Sequence, residues 1–117
     1  MRFEARELKS YAEPVTASRL KEGEVYFSVQ FADEDMLIPI METWVFAGRK
    51  LHPEDVTEHL YFQDVESHKQ GIYYGSATAE NARFQVATEK NINHIFEYER
   101  ALDQLMMCSL RRRKSVG

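Results

Sequence analysis

A single cysteine, Cys108, stands in a chain of 117 residues. That excludes an intrachain disulfide and any cysteine-built zinc site, and it fits a reducing compartment. On an apolar stretch it reads as a small hydrophobe. No apolar run approaches the roughly 18 residues that would suggest a membrane-spanning helix. The N-terminal MRFEARELKS lacks the apolar core of a signal peptide, so a cytoplasmic location is the expectation. Glycine-rich phosphate loops, zinc-finger spacings, RNA-recognition aromatics and nucleophile elbows are also missing. No cofactor and no metal are therefore expected, and no catalytic motif points to an enzyme.

An aromatic share of 12% argues against disorder, and the length suits one core. Residues 1–110 are expected to form a single globular domain. Net charge is −4, but Arg111, Arg112, Arg113 and Lys114 are consecutive; without them the body holds 11 basic against 19 acidic side chains, a balance of −8. An acidic body repels phosphate backbones. The run 111–117 has no interleaved aromatics and reads as a frayed basic tail that complements the negative end of a helix dipole. Nucleic-acid association through it is a weaker alternative.

In EVYFSVQF, Val25, Phe27, Val29 and Phe31 alternate with polar or tyrosine positions, the period of a strand buried on one face. MLIPIMETWVFAG follows the acidic turn Asp33-Glu34-Asp35 and predicts a second, long strand that Pro39 bends or places at an edge. EHLYFQD matches the E-x-x-Y-x-Q pattern of a viral protease site, but mid-chain and flanked by turns it reads as a third strand. Asp64 is placed to cap a short helical turn over 65–70, closed by Gly71. GIYYGS and NARFQVAT read as strands four and five, so the strands span 24–88. From Asn91 the period changes to 3.6, predicting a helix over 91–111 with Ile92, Ile95, Tyr98, Leu102, Leu105, Met106 and Leu110 on its core face. Residues 1–15 read equally as strand, helix or a strap across the sheet.

These elements predict a mainly β α+β fold: about five antiparallel strands in a bent sheet or small open SH3-like barrel, with one long C-terminal amphipathic helix. The succession of short curved strands resembles small SH3-like barrels in architecture, a likeness that carries no activity.

Four groups of residues are candidates for function. Tyr26, Tyr61, Tyr73 and Tyr74 combine apolar area with a hydroxyl and are expected to line a ligand or partner surface. Glu42 shares the phase of Ile38, Ile40, Trp44 and Phe46; pointing inward it would be a general acid or base working with His59 or His94, and otherwise it is a rim residue. The loop from His52 to His59, with Glu54, Asp55 and Glu58, offers five titratable side chains but no established ligand spacing, and reads as a solvated acidic loop. Met107 and Cys108 fall outside the core face of the helix and are expected to form a two-fold dimer contact. The leading expectation is a non-enzymatic binding or accessory module recognising a protein or small ligand. The alternative is a small enzyme or ligand-binding barrel using Glu42 with a histidine.

Overall fold

The period-2 runs become strands in the computed structural model, which describes residues 13–76 and 78–116. The strands are β1 (Val25–Phe31), β2 (Pro39–Arg49), β3 (Leu60–Asp64), β4 (Phe84–Ala87) and β5 (Ile95–Phe96). They form one antiparallel sheet in the order β4-β3-β2-β1-β5. The sheet is open, with β4 and β5 at its two edges. The short helix α1 (Val65–Lys69) follows β3, and the long helix α2 (Tyr98–Val116) ends the chain. The mainly β α+β layout is that expected from the sequence, without a closed barrel.

Opposed residues in an antiparallel pair point to the same side. Tyr26 faces Trp44 and Phe46 faces Phe62 in the register, and these four pack with Val15, Leu20, Leu60, Ile92 and Ile95 into the larger core. The chain before β1 crosses this side as a strap. Val15 donates its N–H to the Ile95 carbonyl at 2.8 Å, and the Arg49 guanidinium donates to the carbonyls of Ala17 and Leu20. On the opposite side Val29 and Phe96 pack with Ala101 and Met107 of α2, flanked by Phe27 and Phe31. The small Ala101 lets the helix approach the sheet closely.

Covered on both sides, β1 does not bury one phase alone: Tyr26, Ser28 and Val29 are buried, while Phe27 and Phe31 are only partly so. β2 outruns its cover. Trp44 and Phe46 are buried, but Ile40 and Met41, and Ile38 just before the strand, remain exposed.

The segment GIYYGS is not a strand. Gly71 and Gly75 take φ of +82° and +85°, left-handed values that turn the chain, and between them only Ile72 enters the core. The fifth strand is instead Ile95–Phe96, inside the stretch expected to be helical, because pairing with Phe27 and Ser28 extends the sheet there. The helix therefore starts at Tyr98 and continues past residue 111 to Val116. Its end is held at least through Arg112: Arg111 donates to the Met36 carbonyl at 3.0 Å and Arg112 to that of Leu37 at 3.0 Å. Of the stretch 1–15, residues 13–15 belong to the strap, and 1–12 lie outside the described residues.

Candidate functional site: a groove beside the bulge of the second strand

Between Phe46 and Gly48 the register of β2 against β3 slips by one residue, a β-bulge. Bulges re-aim the chain and are common next to sites. Gly48 has φ +144°, and a Cβ there would stand 3.0 Å from Leu51 Cδ2 and 3.3 Å from Glu22 Oε1. Absence of a side chain thus lets Leu51 and Glu22 close in over the bulge. They form one wall of a groove of about 520 Å³. The opposite wall comes from His68 of α1 and the turn Gly71–Tyr74.

The second wall is anchored from below. Asp64 caps α1, accepting the Ser67 N–H at 3.0 Å, and also accepts the Arg83 N–H at 2.8 Å. Partial burial pushes the Asp64 carboxyl up, but the hydrogen bonds from Ser67 and Arg83 outweigh it and hold the group below its ordinary value. Gln63, fully buried in β3, donates to Ser67 Oγ at 2.9 Å and to the Ile72 carbonyl at 2.7 Å. That second bond ties the tyrosine-bearing turn to the sheet. Tyr74 then packs at a tilt against Tyr61, ring centroids 5.0 Å apart, and edge-on at 5.4 Å against Phe84. Tyr73 is left 68% exposed at the groove. A mixed wall of this kind can hold an apolar body while Glu22 and His68 meet its polar end.

The four tyrosines do not share a surface. Tyr73 and Tyr74 line the groove, whereas Tyr26 and Tyr61 are core residues on opposite sides of the sheet. Each buried ring finds a partner for its hydroxyl, which is what allows a tyrosine inside. Tyr26 accepts the Lys21 N–H at 2.9 Å. Tyr61 donates to Asp55 Oδ2 at 2.6 Å, and burial followed by this bond pushes its phenol up to about 12.

The loop read as solvated is organised around that same carboxylate. His59 Nδ1 meets Asp55 Oδ1 at 2.8 Å, and the His52 N–H reaches Oδ2 at 3.3 Å. The Tyr61 hydrogen bond, aided by His59 and His52 and opposed by burial, holds the Asp55 carboxyl below its ordinary range. A carboxylate on Nδ1 selects the tautomer whose Nε2 is an acceptor, and Thr57 Oγ1 lies 3.5 Å from it. Neither Asp55 nor His59 lines the groove. Among the described residues no group of three or more His, Cys, Asp or Glu side chains is placed to hold a metal ion.

Glu42 pairs with Arg83, whose guanidinium also lies 4.8 Å over the Trp44 ring. It sits at the rim, between buried Trp44 and exposed Ile40. His59 is committed to Asp55, and His94 lies in the turn before β5, where burial pushes its imidazole down. Glu42 thus takes the rim position, the other of the two expected for it, paired with Arg83 rather than with a histidine.

The expected dimer contact is also corrected. Met107 and Cys108 are only 7% and 3% exposed, packed inward, and Cys108 Sγ lies 3.6 Å from the Leu37 carbonyl. Because Ile92 ends the short turn Glu89–Asn91 and Ile95 lies in β5, the helix begins only at Tyr98, and its buried apolar positions are Ala101, Met107 and Cys108. Leu102, Met106 and Leu110, expected inside, face outward, and Tyr98 is 61% exposed although its ring edge meets Phe27 at 4.7 Å.

Fold and groove define a mainly β α+β protein with an aromatic-walled cleft. Comparison with protein-family models, curated protein sequences and solved structures found no match. No helix among the described residues is long and apolar enough to cross a membrane.

Proposed function

We propose that the protein is a non-enzymatic binding module that holds a small ligand, or one side chain of a protein partner, in the groove between Leu51 and Tyr73. The observation that carries this reading is the exposed Tyr73 ring among the residues that line the groove. Large aromatic side chains left in water at a concave site are typical binding anchors. The volume lies within the range of about 300–1,000 Å³ common for ligand sites. Glu22 and the acidic body favour a ligand with an apolar body and a donor or positive group. The buried, unpaired thiol of Cys108 is compatible with work in the reducing cytoplasm, which we infer as the location.

Ligand-observed NMR with a set of aromatic and aliphatic amines tests the reading. Binding to the intact chain that drops at least about tenfold in Tyr73→Ala, with folding unchanged, is the expected outcome, since an anchor ring is worth about 1–3 kcal/mol. Binding indifferent to Tyr73→Ala and Glu22→Gln would contradict it.

A further inference from the structure

The exposed side of α2 carries Leu102, Met106 and Leu110, with Leu102 and Met106 at 57% and 54%, and runs on to Tyr98, which stays 61% exposed while its ring edge meets Phe27 of the sheet at 4.7 Å. Spaced by four, they form a stripe about 18 Å long at 1.5 Å of rise per residue. A stripe of this kind on a helix whose opposite side already packs on the sheet calls for a second partner.

We propose that this partner is a second copy of the chain, with the two α2 helices paired antiparallel about a two-fold axis between Leu102 and Met106. Two features of the sequence select that occupant. The first is register. An antiparallel pair centred between 102 and 106 sets Leu102 against Met106 of the mate and Tyr98 against its Leu110, so every member of the stripe meets another, as an isologous contact requires.

The second is charge. Beyond Arg111 and Arg112, which the Met36 and Leu37 carbonyls hold, the end of α2 carries the exposed Arg113 and Lys114, while its start carries Glu99 within the first turn, after Glu97, which pairs with Arg19. Antiparallel pairing brings the basic end of each helix to the acidic start of the other and opposes the two helix dipoles favourably. Parallel pairing would bring two basic ends together. The surface is separate from the groove.

Four side chains per copy cover less than the roughly 800 Å² per partner of a standard interface, so the dimer is weak, with a Kd of about 1–100 µM. Sedimentation equilibrium of the full chain from about 5 to 500 µM reads it directly. A monomer–dimer equilibrium is expected, shifted at least about tenfold toward monomer in Met106→Glu and independently in Leu102→Lys, with the circular dichroism and melting of the monomer retained. Arg113→Glu is expected to weaken association. Cysteine crosslinking reads orientation: a mixture of Leu102→Cys and Met106→Cys chains should form the mixed disulfide faster than either homodimer. A monomer throughout the range, a dimer untouched by both stripe variants, or faster 102–102 crosslinking would each overturn the proposal.

Discussion

Leu51 Cδ2 lies 3.0 Å from the point where a Cβ on Gly48 would stand. This close approach couples the bulge in β2 to the shape of the groove, since the added atom would also meet Glu22. Gly48→Ala is expected to cost about 1–3 kcal/mol, combining a φ of +144° with the displaced Leu51. Urea unfolding measures the loss. The same variant should alter amide shifts at Leu51 and Glu22 more than in the distant helix α2.

Asp64 supports the other wall. Asp64→Ala removes the α1 cap and leaves the Arg83 N–H without its side-chain acceptor, so a loss of about 1–2 kcal/mol is expected. Proteolysis or hydrogen exchange should localise the loosening to residues 65–76, the segment that carries His68 and Tyr73.

Tyr61→Phe isolates the hydroxyl bound to Asp55. In the native chain the depressed Asp55 pKa contributes stability that is present above 3.8 and is lost as pH falls through the lower folded value. Without the phenol hydroxyl the folded pKa moves back up, so acid loosening of the 52–59 loop begins at higher pH. Carboxyl chemical shifts of Asp55 through an acid titration give the comparison.

His94 works in the other pH range. Burial lowers its pKa below 6.5, so on acidification the unfolded chain takes up this proton before the folded one does. Stability is expected to fall as pH drops from about 7.5 through 6.5 toward the folded value, and His94→Gln should flatten that part of the profile. Thermal melts of both chains across the range check it.

Much of the sheet was legible because its strands carry a periodicity of their own. EVYFSVQF and MLIPIMETWVFAG announced β1 and β2, and Asp64 with Gly71 marked both ends of α1. β5 was not legible: two residues, Ile95 and Phe96, cannot display a period, and their apolar character blended into the helical pattern after them. That blending also inverted the helix, placing Leu102 and Met106 inside and Met107 outside. Tyr26 and Tyr61 were misplaced for another reason. Their hydroxyls are satisfied by Lys21 and Asp55, contacts formed by loops whose course alternation does not reveal. The groove joins Glu22, Leu51 and Tyr73 through a bulge, and only the unexplained Gly48 in an otherwise well-formed strand signals it.

The most direct test of the groove is an amide correlation spectrum of the labelled chain titrated with the tightest-binding amine from the NMR set. Shifts concentrated at Gly23, Leu51 and Gly71–Tyr74, absent in Tyr73→Ala, are the predicted result. Shifts confined to other parts of the sheet or to α2, or none at millimolar ligand, would contradict the assignment of this cleft as the binding site.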